Sequence, residues 1–278
     1  MPKSPSRASA APVTVIGLGA VGSSLARAFR EAGCRRLTLV GKGRKRERAL
    51  ARSLKAAYLA RLDKLHQQNG YVILAVPDSA VLATARRLSR LPLPWPKLTV
   101  LHTSGPLGPD MLALLERAGA AVAAWHPYQT FPHDASQTSL AGVTFGITGK
   151  PKAVRAGFAL ARALGGRPLR IADADRVLYH ASAVMACGFV AANLKMAVDV
   201  LHKIGLSEKR ALEAVTAIGM ETLCNVIELG LRSAQTGPAV RGDARTLRAH
   251  IKALRGLDPK LAHVYEQLSK FMLNTART

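Results

Sequence analysis

The segment that most constrains the fold of this chain is a glycine pattern near its N-terminus. An apolar, β-branched run at 13–16 leads into G-x-G-x-x-G, and apolar residues at helical spacing follow over 21–32. This order is typical of the dinucleotide-binding βαβ unit: the first glycine permits the turn, the second admits a pyrophosphate, and the third lets the helix pack on the strand. The phosphate then faces the positive end of the helix dipole. We predict a dinucleotide-binding loop made of Gly17, Leu18, Gly19, Ala20, Val21 and Gly22.

The loop after the second predicted strand indicates which dinucleotide binds. NAD enzymes commonly carry an acid roughly 20 residues beyond the glycines, which holds the ribose 2′-hydroxyl. No acid occurs between Glu31 and Glu47, and the loop contains Lys42, Arg44 and Arg46 instead. A carboxylate would repel a 2′-phosphate, whereas a guanidinium binds one through paired hydrogen bonds. We predict NADP as the cofactor, with Arg44 as the main contact and the other two cations in support.

The positive charge of the chain is concentrated in the same region. The formal net charge is +23, and residues 1–62 contain 14 Lys and Arg against two acids. Such a surface attracts anions, including nucleic acid, but a solvated basic surface explains most of these residues equally well. No helix-turn-helix or zinc-finger pattern occurs, and only 5% of residues are aromatic, which is low for base stacking. We expect a small-molecule substrate and no nucleic-acid partner.

Strands and helices alternate through the first 170 residues, which predicts an α/β fold with a doubly wound, Rossmann-type parallel sheet. The pattern changes after residue 171, and helical periodicity runs from 176 to 276, which predicts an all-helical C-terminal domain. The predicted organisation is a disordered tail over 1–11, a dinucleotide-binding domain over 12–172 and a helical domain over 173–278. The predicted strands are 13–16, 37–40, 71–76, 98–101, 121–124 and 143–147; the predicted helices are 21–32, 44–62, 79–90, 110–118, 153–164, 177–204, 207–230, 243–256 and 259–275.

Three polar loops follow predicted strands, at the edge where parallel sheets bind ligands. They are Val-Pro-Asp at 76–78, His-Thr-Ser-Gly at 102–105 and His-Pro-Tyr-Gln-Thr-Phe at 126–131. We predict that Ser104 and His126 act in catalysis and that Gln129 binds substrate; alternatively, the histidines of these loops cap strand ends. A zinc site at His126 and His133 lacks partners at metal-ligand spacing, so no metal is expected. The predicted cofactor pocket also includes Ala75, Val76, Pro77, Thr103 and Ser104.

The helical half adds a second set of candidates. Tyr-His at 179–180 begins its first helix, and Thr-Gly-Pro-Ala-Val-Arg-Gly-Asp occupies 236–243. We predict His180 as a catalytic residue and Asn193, Arg241 and Asp243 as substrate-binding residues; a helix N-cap is the structural alternative for Asp243. An apolar stripe is typical of a core or of a dimer interface. It contains Val184, Phe189, Met196 and Val200.

Cysteine spacing and hydropathy bear on the cellular location. Cys34, Cys187 and Cys224 lie far apart and form no C-x-x-C pair, which fits a reducing cytoplasm. Residues 1–11 lack the apolar core of a signal peptide, and the longest mostly apolar stretch, 181–194, is too short to cross a bilayer. We expect a cytoplasmic protein without a membrane span.

Taken together, these motifs resemble a known family. The glycine pattern, the three strand-end loops, Tyr-His at 179–180 and Thr-Gly-Pro-x-x-Arg-Gly-Asp at 236–243 occur in the same order as in the uncharacterised Rossmann-like NADP-binding oxidoreductases with an all-helical C-terminal domain of unknown function. More distantly, the layout is similar to pyrroline-5-carboxylate reductase, prephenate dehydrogenase and the deazaflavin-dependent NADP reductases. The resemblance implies NADP at the glycines and the basic loop, a cleft between domains and a homodimer built by helices. Gly188 stands where the family leads us to expect an asparagine.

The function predicted from the sequence is that of an NADP(H)-dependent oxidoreductase that reduces a small C=O or C=N compound in an interdomain cleft. His126 and His180 would donate the proton, Ser104 would orient the substrate, and Arg241 would attract a substrate carboxylate. A non-catalytic NADP-binding sensor or scaffold is the alternative. No G-x-S-x-G elbow or H-E-x-x-H pattern points to hydrolysis.

Overall fold

The computed structural model describes residues 11–132 and 139–277, with side chains through residue 274. The predicted N-terminal tail lies almost wholly outside these residues, as does His133 of the zinc pair considered above. The chain divides into two compact units, Met1–Ala186 and Cys187–Thr278. This division falls one helix beyond residue 172, where we predict the end of the sheet domain, because that helix packs on the sheet.

A mostly parallel sheet forms the centre of the first unit. Within the residues described, its strands are β1 (Val13–Ile16), β2 (Leu37–Val40), β3 (Ala57–Leu59), β4 (Gly70–Leu74), β5 (Leu98–His102), β6 (Ala121–Pro127), β7 (Thr144–Gly149) and β8 (Arg167–Arg170). The strand order is β3-β2-β1-β4-β5-β6-β7-β8, and only the β6–β7 pair is antiparallel. The chain crosses from β3 at one edge to β4 beside β1, so the carboxyl ends of β1 and β4 border the crevice where doubly wound sheets bind ligands. The predicted doubly wound fold is confirmed.

Helices cover both faces of this sheet. They are α1 (Ala20–Glu31), α2 (Lys45–Ser53), α3 (Asp78–Leu88), α4 (Ala113–Arg117), α5 (Pro151–Ala163) and α6 (Arg176–Val184). One apolar cluster contains Phe29 of α1 and Ile73 of β4, and the cluster on the other face contains Leu88 of α3 and Leu74 of β4. Because neighbouring residues of β4 enter opposite clusters, the strand is apolar throughout, as expected for a sheet that is covered on both sides.

The region 44–62, which the sequence predicts as one helix, is a helix followed by a strand. α2 ends at Ser53, and Lys55 adopts a left-handed conformation with φ of 47°. Such a residue commonly terminates a helix. β3 then pairs with β2 at the edge of the sheet. The helix prediction is wrong beyond residue 53, because a three-residue strand is too short to produce a recognisable period.

The second unit is helical throughout its regular structure, which confirms the predicted all-helical domain. Within the residues described it contains α7 (Val190–Lys203), α8 (Glu208–Ser233), α9 (Ala244–Leu257) and α10 (Pro259–Arg277). A π-helical turn, Met185–Phe189, precedes α7 and contains Gly188. Ser207 caps α8 by accepting a hydrogen bond from the Arg210 N–H group at 3.4 Å. The buried apolar residues are few: Val198, Ala211 and Val215 form one small cluster.

Many apolar side chains of these helices, of α6 and of the π-helical turn are exposed. Among them are Val184, Met185, Phe189, Val190, Ile218, Met220, Leu223, Ile227 and Leu231. By length and composition alone, the stretches Asp173–Lys203 and Glu208–Ser233 could cross a bilayer, although the apolar run at 181–194 is itself too short. Helices that form protein interfaces have the same length and composition.

Candidate functional site

The glycine loop between β1 and α1 leaves an open approach to its backbone. Gly17 has φ of +92°, and a Cβ atom there would contact the Ala75 carbonyl and lie 2.9 Å from Val76 Cγ1. A Cβ at Gly22 would contact the Gly17 carbonyl and lie 3.2 Å from the Ala75 methyl group. A Cβ at Gly19 would have no atom within 4 Å. Gly17 and Gly22 therefore allow close packing next to β1 and β4. Gly19 lies on the open side, where a pyrophosphate could approach.

The N-terminus of α1 adds a positive dipole to this opening. No side chain caps the helix at Gly19, and its first turn contains no acidic residue. The free N–H groups at a helix N-terminus and the helix dipole favour a bound anion. The backbone of Ala20 and Val21 belongs to this first turn, whereas the Leu18 side chain is buried in the apolar core. The loop fits a dinucleotide diphosphate, with Leu18 contributing only its backbone.

The basic loop, residues 41–46, follows β2 on the same side of the sheet. The side chains of Lys42, Arg44 and Arg46 are exposed. None of the three forms a salt bridge with the part of the chain that the structure describes. These cations are therefore accessible to an anionic ligand. The nearest acid along the chain, Glu47, is buried.

The ends of β4 and β5 form the wall next to the glycine loop. The Ala75 N–H group donates to the Ile16 carbonyl at 2.8 Å, which continues the pairing of β1 and β4 to the residue before Val76 and Pro77. The Thr103 N–H group donates to the Leu74 carbonyl at 3.1 Å and so continues the pairing of β4 and β5. The structure thus brings the predicted pocket residues at 75–77 and 103–104 to the edge that the glycine loop occupies.

Three aromatic rings meet at the C-terminal end of β6, which contains His126. His126 Nδ1 lies 3.2 Å from the Tyr179 hydroxyl, and the ring centroids of His126 and His180 are 5.7 Å apart in an edge-on arrangement. Glycines provide the space, because a Cβ at Gly105 would contact the His180 ring and one at Gly146 would contact the Tyr179 ring. The structure therefore brings together His126 and His180, which the sequence motifs predict as catalytic residues.

Burial keeps His126 and Tyr179 uncharged at neutral pH. Desolvation, together with electrostatic repulsion from Arg176 and the neighbouring His180 ring, lowers the pKa of His126 to about 3. Desolvation raises the pKa of Tyr179 to about 12. Both rings are therefore neutral at pH 7, and His126 can act as a hydrogen-bond donor or acceptor but not as a preformed imidazolium. When Tyr179 donates to Nδ1, the proton of the neutral His126 ring lies on Nε2.

A buried arginine holds the loop after β5 in place. Arg176 is 1% exposed and donates to the carbonyls of Ser104 at 2.7 Å and Gly105 at 2.6 Å, and to Thr148 Oγ1 at 3.0 Å. Ser104 Oγ in turn accepts a hydrogen bond from the Leu107 N–H group at 3.3 Å. Arg176 contributes a fixed positive charge that favours the neutral form of His126, and it fixes the Ser104 backbone.

His102 belongs to the structural support of this loop. It is fully buried, and its Nε2 donates to the Gly108 carbonyl at 2.9 Å because a carbonyl can only accept. Desolvation lowers the pKa of His102 to about 4, so the ring is neutral. The alternative that this histidine caps a strand end is supported by that contact.

The remaining predicted substrate residues lie outside this cluster. Gln129 is exposed and its Oε1 accepts from the adjacent Thr130 N–H group at 2.9 Å. Asn193 and Arg241 are exposed residues of the second unit. Asp243 caps α9: its Oδ1 accepts from the Thr246 N–H group at 3.0 Å. The structural interpretation of Asp243 is therefore confirmed, and its role in substrate binding stays a prediction, as do those of Gln129, Asn193 and Arg241.

Sequence reasoning missed two residues of the site. Arg176 looks like a solvated residue at a helix start, yet it precedes Tyr179 by three positions and His180 by four, which places all three on one helix face. Tyr179 is adjacent to a predicted catalytic histidine but was not itself predicted to act. No group of three or more His, Cys, Asp and Glu among the described residues could hold a metal ion.

Two family matches cover most of the chain. Residues 3–127 match the Rossmann-like domain, and residues 143–272 match a domain of unknown function, DUF2520. The resemblance drawn from the motifs is thereby confirmed. The comparison with curated protein sequences gives no match.

Solved structures with the same fold cover the chain almost end to end. A Bacteroides fragilis protein proposed to be an NADP oxidoreductase has a TM-score of 0.79 and 24% identity, over 96% of this chain and 99% of that one. A Thermotoga maritima protein has a TM-score of 0.73 and 20% identity, over 95% and 98% of the two chains. The pyrroline carboxylate reductase of Plasmodium falciparum, with NADP bound, has a TM-score of 0.60 and 14% identity, over 96% and 98%. At these identities the likeness concerns the fold.

Proposed function

Because the chain joins a Rossmann-like domain to a DUF2520 domain, we propose that it is an NADP(H)-dependent oxidoreductase that reduces a small C=O or C=N compound. One observation carries the proposal: the open glycine loop, the cations of the basic loop and the ring cluster of His126, Tyr179 and His180 all lie along the carboxyl ends of the strands from β2 to β6. The relative with bound NADP, which has the same fold, supports this cofactor.

The chain's own residues would bind and orient the reactants. The glycine loop and the α1 N-terminus would hold the diphosphate, while Arg44, with Lys42 and Arg46, would hold the 2′-phosphate. NADPH, when bound, supplies the hydride for the carbon of the C=O or C=N bond. The heteroatom of that bond then needs a proton.

The ring cluster is the source that we propose for this proton. A neutral imidazole can polarise a carbonyl by donating a hydrogen bond, and Tyr179 leaves His126 Nε2–H for that purpose when it donates to Nδ1. As Nε2–H passes its proton to the heteroatom, Nδ1 takes the proton of the Tyr179 hydroxyl, and we propose that Tyr179 regains a proton from solvent through His180. Ser104, held by Arg176, would orient the substrate. Arg241 would attract a substrate carboxylate.

Calorimetric titration with NADPH and NADH tests the cofactor. We expect NADPH to bind at least about tenfold more tightly, because a charge-assisted phosphate contact contributes about 1.5–3 kcal/mol. Arg44→Ala should remove most of this preference, whereas Arg52→Ala, an exposed arginine near the end of α2, should preserve it. Equal binding of the two cofactors by the wild-type protein would refute the NADP proposal.

Loss of NADPH absorbance in a screen of small ketones, aldehydes and imines tests catalysis. We expect turnover with at least one compound and a loss of at least about a hundredfold in His126→Gln, within the range that general acid–base groups contribute. Tight NADPH binding without turnover of any compound would instead favour the sensor.

We also propose a homodimer formed by the helical unit. Met220, Leu223 and Ile227 of α8 are 61%, 47% and 83% exposed, and their spacing places them on one face of the helix, before its kink at Gly230. A second copy would bury this apolar face without bringing two strongly basic surfaces into contact. Ile227→Asp should convert a dimer to a monomer in light scattering, whereas Glu221→Asp should not. A wild-type monomer, or a protein that sediments with neutral phosphatidylcholine vesicles, would refute this interface.

A further inference from the structure

The carboxylate of Glu47 is buried at the base of the basic loop and bonded to the loop itself. Glu47 lies in the first turn of α2 and is 4% exposed. Its Oε2 accepts hydrogen bonds from the Lys42 N–H group at 2.8 Å and from the Arg44 N–H group at 3.1 Å. A single carboxylate oxygen therefore binds the backbone of two residues whose side chains we expect to contact phosphate.

Tyr58 extends this arrangement to the residue between them. Its hydroxyl donates to Glu47 Oε2 at 2.9 Å and accepts from the Gly43 N–H group at 2.8 Å. Three consecutive N–H groups, at 42, 43 and 44, are thus bound by two side chains. These hydrogen bonds fix the backbone of the basic loop against α2, which contains Glu47, and β3, which contains Tyr58.

The glycines of the loop are required by the same contacts. A Cβ at Gly41 would lie 2.8 Å from the Glu47 carboxyl carbon and 2.9 Å from the Tyr58 hydroxyl. Gly43 has φ of +81°, a conformation that other residues rarely adopt. Gly41 therefore lets the carboxylate approach, and Gly43 permits the turn that aims its N–H group at Tyr58.

Glu47 is charged but does not offer its charge to a ligand. Burial would raise the pKa of Glu47, but the hydrogen bonds from Lys42, Arg44 and Tyr58 outweigh burial and lower it. In NAD-binding folds an acid near this position holds the ribose hydroxyls from the surface. Here the acid lies beneath the loop, and the side chains of Lys42 and Arg44 are exposed above it.

We propose that Glu47 and Tyr58 are positioning residues that set the preference for a 2′-phosphorylated ligand, by fixing the loop backbone so that the Lys42 and Arg44 side chains converge on that phosphate. This inference rests on the proposed NADP binding. Glu47→Gln keeps one acceptor oxygen but removes the charge that strengthens the backbone hydrogen bonds. Tyr58→Phe removes the acceptor for Gly43 and keeps the carboxylate.

The test compares dissociation constants for NADPH, NADH, 2′-phospho-AMP and 5′-AMP, measured by calorimetry on the full chain. We expect Glu47→Gln and Tyr58→Phe each to weaken NADPH and 2′-phospho-AMP by about tenfold and to change NADH and 5′-AMP by less than about twofold. The matched controls are Glu31→Gln, which removes the same charge at the far end of α1, and Tyr71→Phe on β4; both should keep the wild-type constants.

A double-variant cycle separates positioning from direct contact. In the Glu47→Gln background, Arg44→Ala should weaken NADPH by less than about threefold, because the guanidinium is already misplaced; in the wild type it should weaken NADPH by at least about tenfold. Additive losses would overturn the positioning role, and so would an unchanged NADPH-to-NADH ratio in both single variants. A wild-type protein without preference for NADPH would instead overturn the proposed cofactor itself. If Glu47→Gln does not fold, the same cycle is measured with Tyr58→Phe and Arg44→Ala, and its result decides whether the positioning role holds.

Discussion

Acid should destabilise the first unit through His102, which the fold keeps buried and neutral. Its folded-state pKa is about 4, whereas an unfolded histidine titrates near 6.5. The unfolded chain therefore binds the proton more readily, and the stability present above pH 6.5 is lost as the pH falls toward 4. At pH 5 this difference amounts to about 2 kcal/mol.

Urea unfolding followed by tryptophan fluorescence at pH 7 and pH 5 measures this effect. Trp95 and Trp125 are the two tryptophans of the chain, and both are buried in the first unit. We expect His102→Gln, which can still donate to the Gly108 carbonyl, to lose about 2 kcal/mol less than the wild type between the two pH values. Its stability at pH 7 should be lower, because the glutamine fills the ring's space imperfectly.

An exposed histidine provides the control for this experiment. His66→Gln removes an imidazole from the surface of the same unit and should leave the pH dependence of the wild type unchanged. Equal losses of stability in the wild type and in His102→Gln would refute the reasoning, since they would mean that His102 is protonated as easily in the folded chain as in the unfolded one.

Three further predictions follow from individual contacts. Gly22→Ala should lower the unfolding temperature, because the new methyl group would contact the Gly17 carbonyl. Gly19→Ala should fold normally, since space is open there in the absence of ligand, and should weaken NADPH binding. Equal unfolding temperatures of the two variants would count against the packing argument. Asp243→Ala should lower the midpoint of thermal unfolding, measured by circular dichroism. Asp243→Asn should restore most of the loss, because the amide oxygen, like the carboxylate, can accept from the Thr246 N–H group. An unchanged midpoint in Asp243→Ala would mean that this cap does not stabilise the helix. Tyr179→Phe should lower kcat more than it raises KM in the proposed reaction, because the ring remains and only the contacts of its hydroxyl, including that with His126 Nδ1, are lost; an unchanged kcat would exclude Tyr179 from the proton pathway.

The parts of the fold that could be predicted from the sequence are those that a local pattern of residues determines. β1 and β2 were predicted with the observed bounds, because each is a short apolar run that ends beside a glycine. β3 and β8 were missed, since both are short and lie at the two edges of the sheet, where burial leaves no regular pattern. A strand at an edge is recognised from its neighbour in space, and that neighbour is not evident from the sequence alone.

The candidate site shows the same division between local and distant information. The loops at 76–78, 102–105 and 126–131 could be grouped because parallel strands bring their carboxyl ends to one edge. The contacts of Arg176 with Ser104 and Thr148 could not be predicted, because they join residues that are 72 and 28 positions apart in the chain. Glu47 could be seen to follow the basic loop, but not to lie beneath it.

The protonation state of a site residue depends on these distant contacts and cannot be inferred from the residue type alone. The predicted role of His126 assumed a histidine with its ordinary pKa, which would suit it to donate a proton at pH 7. Burial and the nearby charge of Arg176 make the ring neutral, so the same residue can polarise a substrate by a hydrogen bond from Nε2 but cannot start the reaction as a cation. If the chain reduces a C=O bond, the rate should therefore stay level as the pH rises from 5 to 7, and a fall across that range would mean that a protonated histidine is required.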